Sequence, residues 1–170
     1  MNEITYATID DITEIMSVME IGHSTTKSSD WYVTDDRAFV ERHIQEEGYT
    51  LKYVRENKIA GFLIVRHPML AEDNLGRYLE EYSENILLKV AHMESAAVLP
   101  DFRGWKIQRK LLARAEEIER ERGTQYLMAT VHPDNVYSVR NLEQAGFECI
   151  LETEKYSGLR RKVMSKKIKG

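Results

Sequence analysis

Val98-Leu99-Pro100-Asp101-Phe102-Arg103-Gly104-Trp105-Lys106-Ile107-Gln108-Arg109-Lys110-Leu111-Leu112 begins as the end of a strand and turns tightly at Pro100 and Gly104. It then opens into a helix whose apolar stripe runs Ile107, Leu111, Ala115, Ile118. A turn of this shape aims several unpaired backbone N–H groups, and the positive end of a helix dipole, at whatever lies in front of it. Such a place favours an anion, typically a phosphate.

On either side of this stretch the pattern alternates between strand and helix. Downstream, the helix is expected to end at Gly123, followed by a fifth strand through Tyr126, Met128 and Thr130. His132-Pro133-Asp134 marks a turn, and Asn135 is a suitable cap for a short helix ending before Gly146. Two last strands, 147–154 and 159–168, meet through Ser157-Gly158. Upstream, residues 49–55 and 58–66 read as a hairpin turning at Glu56 and Asn57, and the near-continuous apolar run of its second strand implies cover on both faces. The acidic, part-helical segment 69–85 is longer than a hairpin needs and is expected to form a flap over an acceptor site. A fourth strand, 87–99, follows.

At the N-terminus Ile4, Tyr6 and Thr8 alternate in a first strand, and Asp10 or Asp11 can cap a helix carrying Ile12, Ile15, Met16 and Met19. A polar loop containing Trp31 and Tyr32 leads to Asp35, expected to cap a second helix with Phe39, Val40 and Ile44 inward and Gly48 as its stop. This order predicts one α/β domain over residues 1–170, a mixed twisted sheet with helices on both faces.

With 170 residues and 42% hydrophobic content, one core suffices. A net charge of −4 argues against a nucleic-acid partner. The basic run Arg160, Arg161, Lys162, Lys166, Lys167 and Lys169 reads as a solvated edge strand guarded by lysines. The single cysteine, Cys149, gives no disulfide framework and is expected to be a small buried apolar residue. No apolar stretch is long enough to cross a membrane and no signal segment is evident, so a soluble cytoplasmic protein is expected. No histidine has a partner at metal-ligand spacing, so no metal is predicted, and a homodimer is among the assemblies left open.

Val98, Pro100, Phe102, Arg103 and Gly104, followed by an amphipathic helix, resemble the pyrophosphate-binding motif of the GNAT superfamily, the acetyl-coenzyme A (acetyl-CoA) dependent N-acetyltransferases. Asn135, Ser138, Leu142, Gly146 and Phe147 resemble the family's later helix and the turn after it. The resemblance covers nearly the whole chain and implies about seven strands, with the fourth and fifth splayed around acetyl-CoA. It implies cofactor contacts from Ala97, Val98, Leu99, Arg103, Gly104, Trp105, Lys106, Ile107, Gln108, Asn135 and Ser138. The family's loop usually has Gln or Arg first, Gly fourth and Gly or Ala sixth. Here those places hold Arg103, Lys106 and Gln108. A tyrosine acid common in the family is replaced by Leu142, and Ser138 is left as a group able to bond the departing sulfur.

His92 and Glu94 stand two apart on the fourth strand and so are expected on one face, in a row with Val90 and Ala96. Two ionisable groups in an apolar strand are costly unless paired, hydrated or useful. An amine with a pKa of about 10.4 arrives as ammonium and must lose a proton before attack. Either residue can take it, directly or through water, or Glu94 can simply bind the acceptor's charge or pair with His92 or an arginine. Within the resemblance, the Val98 or Leu99 amide is the donor to the thioester oxygen. Trp31 and Tyr32 border the acceptor, and Glu72, Asp73, Glu80, Glu81 and Glu84 either attract a cation or form a solvated face. The implied function is acetyl transfer from acetyl-CoA to a primary amine of a small molecule or peptide, by direct attack in a ternary complex. The alternative is a non-catalytic acyl-CoA-binding module.

Overall fold

Seven strands pair into one sheet in the order β1-β2-β3-β4-β5-β7-β6. They are β1 (Ile4–Tyr6), β2 (Gly48–Arg55), β3 (Lys58–Arg66), β4 (Val90–Val98), β5 (Tyr126–Val131), β6 (Glu148–Lys155) and β7 (Leu159–Lys167). The chain, a computed structural model, is described over residues 3–24, 35–155 and 158–169. The expectation for Trp31 and Tyr32 lies outside the described residues.

The hairpin of β2 and β3 turns at Glu56 and Asn57, both left-handed (φ 53 and 63), as a two-residue connection requires. Every residue from Ile59 to Val65 is buried. Leu63 and Val65 face one core cluster and Phe62 and Ile64 another, because helices cover both sides. On the first side lies α4 (Ile107–Arg122), whose Ile107, Leu111, Ala115 and Ile118 are buried as the stripe predicts. Burial of an Ile or Leu side chain contributes about 1.5 to 3 kcal/mol each. Gly123 ends α4 in the left-handed conformation (φ 90). On the second side lie α1 (Ile12–Ser24) and α2 (Arg37–Gln45). A short turn, α3 (Glu84–Leu87), precedes β4, which therefore starts three residues later than expected. α5 (Val136–Gln144) packs beside α4, with Asn135 capping it through the Ser138 amide at 3.3 Å.

β4 and β5 are parallel, and only Val90–His92 pair with Tyr126–Met128. Beyond that point the two strands separate, which opens the middle of the sheet. Every other neighbouring pair is antiparallel.

Several expectations need correction. The cap of α2 is Asp36, whose carboxylate accepts from the Phe39 amide at 2.8 Å, and not Asp35. The basic strand β7 is not an edge: it lies between β5 and β6, where Arg161 is buried and Lys166 pairs with Glu116. The edge is β6, and Cys149 on it is exposed, beside a register shift that falls between Cys149 and Leu151. Segment 69–85, expected to form a flap, packs against the sheet. Leu75 and Leu79 pack against Val90 and Met128, and the Asn74 amide donates to the Met69 and Leu87 carbonyls.

Near the end of α4, Glu119 is wholly buried yet fully served. It accepts from the Tyr49 hydroxyl at 2.6 Å, the Thr124 hydroxyl at 2.6 Å and His67 Nε2 at 3.0 Å. This ties α4 to β2 and to the chain leaving β3.

Candidate active site

The opening between β4 and β5 exposes one edge of β4. The Leu99 amide donates to the Ala60 carbonyl at 2.8 Å and therefore points toward β3. Successive amides of a strand point to opposite edges, so the Val98 amide faces the opening. Of the two amides expected to face the thioester, that of Leu99 is engaged by Ala60, and that of Val98 lies on the other edge of β4.

Below the opening, a 3-10 turn (Pro100–Phe102) leads through Gly104 (φ 94) to Lys106. Lys106 is left-handed (φ 58, ψ 32) and forms the N-terminal boundary of α4 without a side-chain cap. The loop thus keeps, with a lysine, the backbone conformation that a glycine adopts most readily. The first-turn amides of Ile107, Gln108 and Arg109 have no acceptor within the helix. A Cβ placed on Gly104 would meet nothing within 4 Å, which leaves the backbone open to approach. The Gln108 side chain is drawn toward α5, where it accepts from the Asn141 amide at 3.3 Å. Arg55 lies over the Trp105 ring, its guanidinium carbon 3.8 Å from the centroid. These features, free amides at a helix N-terminus below a parted pair of strands, fit the pyrophosphate and pantetheine of acetyl-CoA. Ile107 is different from the other residues expected here: its side chain is core, so only its amide is available. Leu142 is also core, and no hydroxyl stands in its place.

Glu94 sits at the start of the divergence. Ile64 pairs with Ser95 and Val65 with Met93, so Glu94 is the extra residue of a β-bulge. The bulge shifts the alternation, and Met93 and Ala96 both pack in the cluster with α4. The expected row of Val90, His92, Glu94 and Ala96 is therefore broken, although His92 and Glu94 remain together. His92 Nδ1 lies 3.4 Å and Arg66 Nη1 3.7 Å from Glu94 Oε1. Neither is aligned as a hydrogen bond, and this buried oxygen has no hydrogen-bond donor. Burial pushes the Glu94 carboxyl up, but His92, Arg66 and His43 outweigh it and hold it below the usual range.

His92 is itself buried, and its Nε2 accepts from the Leu75 amide at 3.0 Å. That bond needs a bare Nε2, which places the ring proton on Nδ1, facing Glu94. Arg66 is gripped by Asp73 through two bonds, at 2.8 and 2.9 Å. The docked segment 69–85 thus fixes both partners of Glu94.

Sequence reasoning missed Asp35 and His43. With Asp36 doing the capping, the Asp35 carboxyl turns inward, accepts from Ser95 and faces the charge of Glu94. Burial, then the nearby Glu94 and Asp36, push it up to about 7. His43 on α2 is 1% exposed, donates from Nδ1 to the Phe39 carbonyl at 2.8 Å, and presents an Nε2 with no partner. Its apolar surroundings hold its pKa down despite the nearby Glu94. An Asp-Asp pair before a helix offers two equivalent caps, so the sequence carried no signal for which one would turn inward. Among the described residues, no group of three or more His, Cys, Asp or Glu side chains is arranged to hold a metal ion, and no helix is long and apolar enough to cross a membrane.

Compared with known proteins, residues 12–147 match the model of the acetyltransferase (GNAT) family. No curated protein matches the chain in sequence. Among solved structures, the ribosomal-protein-S18-alanine N-acetyltransferase of Escherichia coli superposes with a TM-score of 0.75 at 18% identity, over 100% of this chain and 96% of that one. The Salmonella typhimurium protein yncA, solved with its cofactor acetyl-CoA, gives a TM-score of 0.70 at 17% identity, over 98% and 94%. The ribosomal-protein-alanine N-acetyltransferase of Brucella melitensis gives 0.67 at 22% identity, over 96% and 98%.

Proposed function

Because the chain belongs to the GNAT acetyltransferase family, we propose that it transfers the acetyl group of acetyl-CoA to a primary amine of a small molecule or peptide, by direct attack in a ternary complex. The observation that carries this reading is Glu94 Oε1, a buried carboxylate oxygen without a hydrogen-bond donor at the point where β4 and β5 part. An ammonium is the donor such an oxygen lacks.

Acetyl-CoA supplies the activated thioester. The first-turn amides of α4, the loop Arg103, Gly104, Trp105 and Lys106, and Asn135 and Ser138 on the neighbouring helix would hold it, with Ala97, Val98 and Leu99 along its inner arm. Gln108 contributes through its amide, since its side chain is engaged by Asn141. The Val98 N–H is the donor for negative charge developing on the thioester oxygen. Glu94 receives the acceptor's ammonium and directs its nitrogen into the opening. His92 stands beside Glu94, its Nδ1 3.4 Å from the carboxylate oxygen. With Leu142 buried, the leaving thiol departs as a thiolate, feasible for a group with a pKa of about 8.5.

The test is calorimetric titration with acetyl-CoA, with desulfo-CoA and 3′,5′-ADP as controls, followed by a thiol-release assay over a panel of primary amines. Specific binding followed by turnover is expected, and Glu94→Gln should raise KM for the amine at least tenfold while leaving acetyl-CoA affinity unchanged. Absence of acetyl-CoA binding overturns the reading. Binding without turnover of any amine would favour the acyl-CoA-binding module, a reading to which the buried Leu142 lends weight.

A further inference from the structure

We propose that Asp73 is a positioning residue: its carboxylate holds the Arg66 guanidinium off Glu94 and so keeps the Glu94 oxygen open to the acceptor. This rests on the acceptor binding at Glu94, as proposed above. Arg66 ends β3 opposite His92 on β4, and its side chain is mostly withdrawn from water. Asp73 takes both terminal nitrogens of the guanidinium, Nη1 at 2.8 Å and Nη2 at 2.9 Å. Nη1 is left 3.7 Å from Glu94 Oε1, which has no hydrogen-bond donor. That separation exceeds an ordinary N–H···O bond by about 0.8 Å.

An arginine so close to an unpaired carboxylate oxygen is a competitor for it. A guanidinium carries N–H groups in excess of the two that Asp73 accepts, and a charge-assisted bond to Glu94 needs only a small swing of the side chain. The same oxygen cannot then receive the acceptor. At its present distance the guanidinium still helps to keep Glu94 ionised, without filling the position that an incoming N–H donor needs.

Asp73 can restrain Arg66 because its own place is fixed. The next residue, Asn74, is 1% exposed; its amide donates to the Met69 and Leu87 carbonyls at 2.7 and 3.1 Å, and its side-chain oxygen accepts from the Gly76 amide at 2.8 Å. Arg77 donates to the Leu70 and Ala71 carbonyls at 2.9 and 3.1 Å, and the Leu75 amide donates to His92. The turn carrying Asp73 is thus tied on both sides. Arg66 in return holds the Asp73 carboxyl below its usual range, so the pair is ionised at neutral pH. Without Asp73, Glu94 would be available only in the fraction of molecules whose Arg66 has swung away, and the apparent affinity for the acceptor would fall by that fraction. Competition of this kind raises KM and leaves kcat at saturating amine unchanged.

The experiment compares wild type, Asp73→Ala and Asp73→Ala/Arg66→Met, using the primary amine of the panel with the highest wild-type kcat/KM, together with a crystal structure of Asp73→Ala. The Asp73 side chain is 60% exposed, so the variant should fold. Asp73→Ala should raise KM for the amine about tenfold or more, with kcat and acetyl-CoA affinity held. In its crystal structure an Arg66 nitrogen should lie within about 3.2 Å of Glu94 Oε1. Adding Arg66→Met should return KM most of the way to the wild-type value. A merely structural Asp73 predicts the reverse, since the second change cannot restore a tie between β3 and segment 69–85. A wild-type KM in Asp73→Ala, a raised KM that Arg66→Met does not relieve, or a guanidinium that stays at its wild-type distance from Glu94 overturns the role of Asp73 while leaving acetyl transfer standing. A wild type that binds acetyl-CoA yet acetylates no amine overturns both.

Discussion

Glu119, Glu94 and Asp35 are carboxylates withdrawn from water, and their surroundings set them apart. Glu119 is met by three side-chain donors, Tyr49, Thr124 and His67, so its burial is compensated. Glu94 has Arg66 nearby but an oxygen with no aligned donor, and Asp35 has a serine and a neighbouring negative charge. The first is a structural tie, and the other two keep a charge that the fold leaves incompletely compensated. Glu119→Ala would leave three donors without their shared acceptor, and a loss of about 3 kcal/mol is expected. Urea unfolding would measure it. Acetyl-CoA affinity should hold in the folded variant, because Glu119 lies in the last turns of α4, far along the helix from Lys106. An unchanged unfolding midpoint would contradict the structural role.

At the scale of the element, the loop before α4 keeps a left-handed residue at Lys106 where glycine is easier. Lys106→Gly should remove that strain and stabilise the fold by up to about 1 kcal/mol, less the extra chain entropy of glycine. The reciprocal change at the other end of the same helix, Gly123→Ala, should cost about 1 kcal/mol because φ is 90 there. Thermal melts of the two variants check both signs. The helix itself was legible from the spacing of Ile107, Leu111, Ala115 and Ile118, because one buried face and a 3.6-residue repeat determine each other. The hairpin was legible for the same kind of local reason. What escaped depended on partners distant in sequence. The bulge at Glu94 breaks the period of two on which strand reading rests. The burial of β7 depends on β6 pairing outside it, and the exposure of Cys149 follows from that same order. The groups that Asp35 meets, Ser95 and Glu94, lie some sixty residues away.

Over the whole molecule these carboxylates pull the pH dependence of stability in opposite directions. Burial raises Asp11, Glu116 and Glu119, but Lys52, Lys166 with Arg120, and the donors around Glu119 outweigh it, while Asp73 is lowered first by Arg66. All four end below their ordinary values. Their contributions are complete above the unfolded-state values and fade as the pH falls through the depressed folded ones. Asp35 runs the other way: its folded value, about 7, exceeds the ordinary aspartate value of 3.8. Between those two values the folded protein binds more protons than the unfolded chain, so stability falls as pH rises through this window. Maximum stability is therefore expected on the mildly acidic side of neutrality. Asp35→Asn removes the charge that folding must bury beside Glu94. At pH 8 the variant should be more stable than wild type by roughly 2 kcal/mol, allowing for the partial exposure of Asp35, and near pH 4 the gain should vanish. Urea titrations of both proteins at the two pH values measure it. A variant that is more stable at pH 8 but not at pH 4 would mark Asp35 as a charge that the fold buries at a cost. Lower stability at both pH values would instead make it part of the packing between α2 and β4.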